Sequence, residues 1–279
     1  MLNLNQDNIT QAVTQTFANT SDVRLHEVIT SLVRHLHAFA RDVKLTEEEW
    51  EKGIEFLKQC GHITDEKRQE FILLSDVLGL SMLVVAMNND KPVGCTEATV
   101  FGPFHVDGAP HYELGVDISN GARGIPCLVQ GTVKGILGEP VPGAHIDVWQ
   151  SDEDGLYDVQ YPGLGKAQAR GIVNADHEGR FHFRSILAVP YAIPHDGPVG
   201  KMLAATGRHP WRPAHLHFLI KAPGYETLIT HVFRRDSAYI ESDAVFGVRQ
   251  SLLAEWRELA DGTYRLEYDF VLNPSAEMV

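Results

Sequence analysis

Residues 211–222 read WRPAHLHFLIKA and place His215 and His217 two positions apart within an apolar run. Alternate residues of a β-strand point to opposite faces of the sheet, so both imidazoles lie on one face while Leu216 and Phe218 lie on the other. The two histidine side chains can therefore reach one point in space, on the face of the strand that is turned away from its apolar side.

Short alternating runs of the same kind, separated by turn residues, fill most of the second half of the chain. They read CLVQGTVKG, GAHIDVWQS, RFHFRSILA, TLITHVF and YRLEYDFVL. Among them we predict one late helix, VRQSLLAEWREL, at residues 248–259. Short strands without regularly alternating helices favour antiparallel pairing, so the sequence predicts a β-sandwich or barrel.

The region ahead of these strands has a helical period of apolar residues. In its first helix they are Leu25, Val28, Ile29, Leu32, Val33, Leu36 and Phe39. Thr46 and Glu49 form a capping-box pattern that opens a second helix, and a third, longer helix is predicted from near Thr64, with Gly79 as a point of bending. The predicted fold class is mainly β, an antiparallel β-sandwich preceded by an α-helical section.

Composition limits the kinds of binding partner and the cellular compartment that we expect. The chain has 279 residues, with 24 basic against 37 acidic side chains and a net charge of -13, a balance that repels a nucleic-acid backbone. Its three cysteines are far apart and form no C-x-x-C pair, so they indicate neither a disulfide framework nor a thiolate zinc site and favour a reducing cytoplasm. We see no signal-peptide pattern and no apolar run near the ~20 residues that span a bilayer, so we expect a soluble protein without a membrane partner.

The His-x-His pair suits two ligands of one metal ion, although such pairs also occur in zinc enzymes, in cupin-like iron sites and as plain hydrogen-bonding residues. Tyr157, in WQSDEDGLYDVQYPG, and Tyr191, in VPYAIPHDGPVG, each lie in a loop that leaves a predicted strand. A phenol, with a pKa near ~10, coordinates well only to a strongly Lewis-acidic ion, so two tyrosines with two histidines indicate Fe(III).

At these residues the chain resembles the intradiol ring-cleaving dioxygenases, non-haem ferric enzymes that open catechols between the two hydroxyls. Three separated motifs carry the resemblance in the order and spacing of the family: GEPVPGAHIDVWQSDEDGLY, YAIPHDGPVGKML and WRPAHLHF. The helical stretch FILLSDVLGLSMLV is similar to the family's dimerisation region. The resemblance implies a helical dimerisation and linker region at residues 1–98 and a catalytic domain at residues 99–279.

By this resemblance the iron ligands are Tyr157, Tyr191, His215 and His217. Tyr161 is the nearest competitor for Tyr157, but the family ligand directly follows a G-x pair, as in GLY, so Tyr161 is expected to be structural. The resemblance also makes Tyr191 the ligand that leaves when the diol binds, and Arg212 a cation that stabilises negative charge on the ring. His231 stands where catechol-cleaving relatives usually carry glutamine, and it is expected near the iron as a hydrogen-bond partner, with a packed strand histidine as the alternative.

Within the family, the stretches LLSDVLGLSMLV, VFGPFHV and ESDAVFGV are most similar to hydroxyquinol 1,2-dioxygenases. This implies that 1,2,4-trihydroxybenzene and O2 are converted to 3-hydroxy-cis,cis-muconate or maleylacetate. Asp76 is then expected to bond the third ring hydroxyl, the alternative being a solvent-exposed helix residue. The other residues expected at the pocket are Leu73, Val100, Phe101, Gly102, Pro103, Phe104, Ile193, Pro194, Arg212 and Val245.

The resemblance further implies a homodimer, with phospholipid in an apolar channel of the helical region, although an apolar stripe is also typical of an ordinary core. The first alternative activity is a catechol or chlorocatechol 1,2-dioxygenase, which differs only in the ring substituents. A non-catalytic β-sandwich binding module and a zinc hydrolase are the alternatives from other classes. The zinc hydrolase is disfavoured because no carboxylate or third histidine stands at a matching position.

Overall fold

The computed structural model describes residues 3–66 and 68–275. The chain divides into two compact units, residues 1–59 and residues 60–279. The helices are α1 (Ile9–Gln15), α2 (Val23–Asp42), α3 (Glu47–Ile63), α4 (Glu70–Val77), α5 (Leu80–Asn88) and α6 (Pro198–Ala205). The strands are β1 (Pro126–Gly135), β2 (His145–Trp149), β3 (Arg170–Asn174), β4 (Arg180–Ile186), β5 (Tyr191–Ala192), β6 (Trp211–Arg212), β7 (His215–Lys221), β8 (Leu228–Arg234), β9 (Leu253–Ala254), β10 (Trp256–Glu258), β11 (Tyr264–Glu267) and β12 (Phe270–Leu272).

The helical section confirms two local predictions and corrects one. Glu49 and Thr46 form the capping box, since the Thr46 backbone N–H donates to Glu49 Oε2 at 2.9 Å and the Glu49 N–H donates to Thr46 Oγ1 at 3.3 Å. Gly79, at φ 75°, separates α4 from α5, which meet at 77°. The third helix, however, begins at Glu70 and not near Thr64, whose hydroxyl instead donates to the Cys60 carbonyl at the end of α3.

No described helix is by itself long and apolar enough to cross a bilayer. The bent pair formed by α4 and α5 reaches that length and apolarity only when the two helices are taken together.

Two five-stranded sheets form the β part of the molecule. One contains β10, β11, β1 and β12 in that order, with β4 also paired to β1, and the other has the order β3, β2, β7, β8, β9. A short pair, β5 with β6, stands apart from both sheets. Most pairs are antiparallel as predicted, but β1 with β11, β1 with β12 and β8 with β9 are parallel.

The hydrophobic core lies between the two sheets, as a sandwich requires. Leu216 and Phe218 of β7 belong to it, and the Phe218 ring contacts Phe270 of the opposite sheet with centroids 4.8 Å apart. The alternation of β7 therefore places the two histidines on the outer face of their sheet, as the sequence predicts. That outer face is covered by the loops that carry the two tyrosines.

The predicted helix at residues 248–259 is wrong. Residues 250–252 form one 3-10 turn, and the rest of the segment supplies β9 and β10. Pairing decides this outcome, because Leu253 aligns with Phe233 of β8 and Trp256 aligns with Leu266 of β11 while entering the core. Tertiary contacts of this kind override a local helical period.

Candidate metal centre and active site

The pairing register of β7 with β8 brings three histidines together at the centre of the site. His217 lies directly opposite His231 of β8, and His215 opposite Phe233, so three imidazoles share one face. One ligand atom from each of the three histidines lies within 4.8 Å of the others, and all three residues are buried. The expectation that no third histidine stands at a matching position is therefore wrong, because His231 does. The His231 ring contacts both of the others, with centroids 4.6 Å from His215 and 4.2 Å from His217.

The two tyrosines reach the histidines from separate loops. Tyr157 follows β2, where its backbone N–H donates to Gln160 Oε1 at 2.9 Å, and its phenol oxygen lies 2.7 Å from Nε2 of His217. Tyr191 lies on β5, paired with Arg212 of β6, and the Arg212 guanidinium nitrogen Nη1 lies 3.4 Å from its phenol oxygen. The two phenol rings are 5.4 Å apart.

Burial sets the protonation of these groups. It lowers the pKa of His215 to about 3, with the Arg212 cation adding to the effect, and it lowers the pKa of His217 and His231 well below the ordinary value. Burial also raises the pKa of Tyr157 well above 10, and the neighbouring Tyr191 raises it further. All three histidines are therefore neutral at pH 7, the form in which an imidazole binds a metal.

The residues present fit a metal ion. His215 Nδ1 donates to the Pro213 carbonyl at 2.7 Å, which leaves the lone pair on its Nε2, and this atom lies 3.2 Å from Nε2 of His217 and 3.3 Å from Arg212 Nη1. Atoms that bind one ion at 2.0–2.1 Å lie about 3 Å from each other, so the two imidazoles and the Tyr157 phenol have the spacing of ligands to one ion. A carbonyl that fixes the tautomer of a ligating histidine is a usual feature of such sites.

A cavity of about 730 Å³ lies within the unit formed by residues 60–279. Of the residues expected at the pocket, Leu73, Pro103, Phe104, Ile193 and Pro194 line it. Phe104 stacks on the ring of Tyr157 at 4.4 Å, which connects the cavity wall to the tyrosine and histidine cluster. The cavity thus adjoins the cluster on the side of Phe104.

The remaining pocket residues lie elsewhere around the cluster. Gly102 lies against His217, because a Cβ at this position would be 3.1 Å from the ring, and Phe101 contacts the Trp149 ring at 5.7 Å. Val100, Val245 and Asp76 are buried. Asp76 is only 5% exposed, so the alternative of a solvent-exposed helix residue is wrong. Burial raises the pKa of Asp76, and Ser81 and Arg212 partly offset that rise.

Several residues that contact the site are not predicted from the sequence. Trp149 stacks on His217 with centroids 4.8 Å apart, and the register of β2 with β7 places it there. Asp158, the residue after Tyr157, pairs with Arg170, which also donates to the Phe104 carbonyl at 2.9 Å. Asp243 pairs with Arg212. Only the Trp149 contact could have been predicted, from its place opposite His217 once the strands were aligned.

Tyr161 behaves as the sequence predicts for a structural residue. Its hydroxyl donates to Asp152 Oδ2 at 2.5 Å, in a partly buried position. That bond closes the loop that carries Tyr157.

The comparisons with known proteins agree with this geometry. Residues 100–274 match the family described as Dioxygenase, and residues 22–96 match the family described as Catechol dioxygenase N terminus. A 6-chlorohydroxyquinol 1,2-dioxygenase of Cupriavidus pinatubonensis is 63% identical, over 99% of this chain and 100% of that protein. A hydroxyquinol 1,2-dioxygenase of Nocardioides simplex is 49% identical, over 97% and 96%. The crystal structure of hydroxyquinol 1,2-dioxygenase from Pseudomonas putida DLL-E4 superposes with a TM-score of 0.90 at 43% identity, covering 97% of this chain and 99% of that one.

Fold, site and similarity together define an oxygen-inserting ring-cleavage enzyme built on a β-sandwich. The chain belongs to the intradiol dioxygenase family. The histidine cluster on β7 and β8 is its candidate metal site.

Gly155 tests how tightly the tyrosines are held. It has φ 76°, and a Cβ there would lie 2.8 Å from Cβ of Tyr191. We expect Gly155→Ala to displace Tyr191, to lower kcat by about 10²-fold as a misplacement near 1 Å does, and to cost about 1–3 kcal/mol of stability. Gly163 is the matched control, since its φ is 74° with nothing within 4 Å. Gly163→Ala should lose stability without losing turnover, and equal losses of turnover in both variants would contradict this account.

The buried histidines predict a pH dependence of stability. Because their folded-state pKa values lie below that of an unfolded histidine, only the unfolded chain takes up these protons as the pH falls below about 6.5. We expect the free energy of unfolding of chelator-treated protein to fall from pH 7 to pH 5, by at most about 1.4 kcal/mol per pH unit for each histidine. Urea unfolding of the chelator-treated protein at each pH measures this change. A flat profile between pH 7 and pH 5 would count against neutral buried histidines.

Proposed function

We propose that the chain cleaves hydroxyquinol, 1,2,4-trihydroxybenzene, with O2 between its adjacent hydroxyls to give 3-hydroxy-cis,cis-muconate, a tautomer of maleylacetate. The observation that carries the proposal is the convergence of two phenols and two neutral imidazoles on one buried point. Tyr157, Tyr191, His215 and His217 are the proposed ligands of Fe(III).

The donor set favours ferric ion over Zn(II) or Fe(II), because phenolate is a hard oxyanion ligand that suits a strongly Lewis-acidic ion. A buried phenol with a raised pKa is a poor anion by itself, so the Tyr157 oxygen needs a nearby cation to ionise. When bound, the ferric ion lowers the pKa of the diol hydroxyls and activates the ring toward O2.

Residues of the chain itself are proposed to accept a proton from the diol, to stabilise its negative charge and to hydrogen-bond to it. The Tyr191 phenol oxygen is the proposed acceptor of one diol proton. The Arg212 guanidinium, buried and 3.4 Å from that oxygen, places a fixed positive charge where negative charge develops on the ring. His231 is a proposed hydrogen-bond partner, because its Nε2 is buried without a partner among the described residues and its Nδ1 lies 3.5 Å from Arg212.

The substrate proposal rests on Asp76 and on the named relatives. A buried carboxyl group costs free energy unless donors satisfy it; the Ser81 hydroxyl is one donor to Asp76, and a third ring hydroxyl would supply another. The pocket wall proposed beside it comprises Leu73, Val100, Phe101, Gly102, Pro103, Phe104, Ile193, Pro194 and Val245. The relative that is 63% identical is named for a chlorinated hydroxyquinol, so a chlorine on the ring is a second candidate feature of the substrate.

Oxygen uptake tests the activity. The iron-loaded protein is mixed with hydroxyquinol, 6-chlorohydroxyquinol, 4-chlorocatechol and catechol, and the product is analysed by mass spectrometry after reaction in ¹⁸O2. We expect both labelled atoms in a ring-opened dicarboxylate and the highest kcat/KM with a trihydroxybenzene. Higher kcat/KM with catechol or 4-chlorocatechol would support the catechol-type alternative, and no uptake with any diol would contradict the proposal.

The proposed homodimer forms through the helical region. α2 exposes an apolar row that a lone helix in water would not favour: Val23, Leu25, Val28, Leu32, Leu36 and Phe39. A second copy of the chain packing there, with phospholipid between the helices, is the proposed arrangement, and residues 1–98 and 99–279 are the proposed functional regions. The family matches that end at residue 96 and begin at residue 100 support that division. Light scattering and native mass spectrometry test the dimer and the lipid.

A cytoplasmic location is proposed from the cysteines, which are free in the structure. Free thiols persist in reducing compartments.

A further inference from the structure

Asp243 lies in the loop between β8 and β9 and contacts Arg212, 31 residues earlier in the chain. Its Oδ1 accepts a hydrogen bond from Arg212 Nε at 3.0 Å, and its Oδ2 accepts one from Arg212 Nη2 at 3.2 Å. Both side chains are buried, with 3% and 2% of their areas exposed. A two-point contact of this kind fixes the plane of the guanidinium as well as its position.

The loop around Asp243 holds the carboxylate in one orientation. Backbone N–H groups of Gly247 and Val245 donate to its two oxygens, at 2.9 Å and 3.3 Å. The hydroxyl of Thr99 donates to the Gly247 carbonyl at 2.9 Å, and a Cβ on Gly247 would lie 3.0 Å from Arg212 Nη2. The carboxylate thus accepts four hydrogen bonds, two from the loop and two from Arg212.

This arrangement decides which part of Arg212 faces the site. Asp243 occupies the Nε and Nη2 edge, so Nη1 is the nitrogen directed at the two proposed ligands nearest to it, 3.4 Å from the Tyr191 oxygen and 3.3 Å from Nε2 of His215, while Nη2 also lies 3.5 Å from Nδ1 of His231. Among the side chains of the described residues, Asp243 supplies the one carboxylate in hydrogen-bond contact with Arg212. Without it, the guanidinium would be a buried cation free to turn about its own axis.

We propose that Asp243 is a positioning residue of the ring-cleavage reaction, which holds Arg212 with Nη1 facing the bound diol. The inference rests on the proposed function, since it requires Arg212 to act on the diol. Asp243 itself does not touch the reacting atoms. It acts on the step in which negative charge develops on the ring, and it leaves metal binding and diol binding unchanged.

The first test is Asp243→Asn, which keeps the shape of the side chain and removes its charge. The amide nitrogen cannot accept from Gly247 or from Arg212, so the two-point contact is lost. We expect kcat to fall by about 10²-fold, the loss that a misplaced active-site group causes, while KM, iron content and the absorption change on anaerobic diol binding stay near those of the wild type. Asp236→Asn is the control, because Asp236 pairs with Arg234 on the surface, and it should leave kcat unchanged.

A double-mutant cycle separates positioning from a structural effect. If Asp243 acts through Arg212, adding Asp243→Asn to Arg212→Met should cause no further loss of kcat. A further loss of about 10²-fold in the double variant would show an effect independent of Arg212 and overturn the inference. Thr99→Val is a milder variant that loosens the Gly247 carbonyl without altering charge, and it should lower kcat less than Asp243→Asn does, again at unchanged KM.

The outcomes keep the two proposals apart. If Arg212→Met retains wild-type kcat with iron bound, the function proposed for Arg212 is wrong. If Arg212→Met loses turnover while Asp243→Asn and Thr99→Val retain it, the proposed function stands and the positioning inference is wrong. Loss of iron or of diol binding in Asp243→Asn would also overturn the inference, because it would assign Asp243 to the architecture of the metal site.

Discussion

Tyr157→Phe is expected to abolish ring cleavage, lowering the turnover of hydroxyquinol by more than about 10²-fold, since losing even an outer partner of a metal ligand costs 10–100-fold. The substitution removes one oxygen atom, the one that lies 2.7 Å from Nε2 of His217. The Tyr157 side chain is fully buried, so the phenylalanine ring keeps the packing against Phe104 and the protein should remain folded. Iron content and oxygen uptake measure the effect.

Tyr161→Phe is the matched control, because this tyrosine lies four residues further along the same loop. Its hydroxyl bonds to Asp152, away from the histidines, so we expect about 1 kcal/mol of lost stability and nearly full activity. The reverse pattern, with Tyr161→Phe inactive and Tyr157→Phe active, would contradict the ligand assignment.

Asp76→Asn is expected to change the substrate preference more than any other single substitution. A site that bonds a substrate hydroxyl rejects the analogue lacking it by as much as ~10⁴-fold. We therefore expect the ratio of kcat/KM for hydroxyquinol to kcat/KM for catechol to fall by about 10²-fold or more. The asparagine keeps the shape of the side chain but replaces one of the two oxygens that the buried carboxyl group offers to Ser81 and to the third ring hydroxyl.

Glu70→Gln provides the control for this prediction. Glu70 is also a buried acid of α4 and borders the same cavity, but its oxygens are already paired, since they accept hydrogen bonds from Arg68 Nε and the Val199 backbone N–H, both at 3.1 Å. Its loss should lower stability and leave the ratio between the two substrates unchanged. An unchanged ratio in Asp76→Asn would contradict recognition of the third hydroxyl by Asp76.

The predictions that held rest on strict local geometry. The period of two in β7 is enough to separate the core face, with Leu216 and Phe218, from the face of the two histidines. The capping box at Thr46 is likewise a local pattern, and so is the break at Gly79.

The predictions that failed depend on contacts distant in sequence. Residues 248–259 have a helical period, yet pairing with β8 and β11 makes most of them strand. The third helix was predicted to begin near Thr64 but begins at Glu70, because the chain first makes a turn that the spacing of apolar residues does not indicate. The short strands β3, β5 and β6 were missed because an apolar run of two to five residues carries too little pattern.

The same limit applies to the site. The four proposed ligands stand in recognisable motifs, whereas the contact of Asp243 with Arg212 arises from a loop 31 residues away. A sequence shows that an acidic residue is present there, but only the folded chain shows that its carboxylate meets the arginine edge to edge. The residues that hold the reacting groups in place are therefore less predictable than the groups themselves.

The central claim is that two tyrosines and two histidines hold ferric ion and that a diol binds to it. The most direct measurement is the visible absorption spectrum of the iron-loaded protein, before and after anaerobic addition of 1,2,4-trihydroxybenzene. The account predicts a broad tyrosinate-to-iron charge-transfer band that moves to longer wavelength when the diol is added. A fully metal-loaded protein that stays colourless would contradict it and return His215 and His217 to zinc binding or to structure.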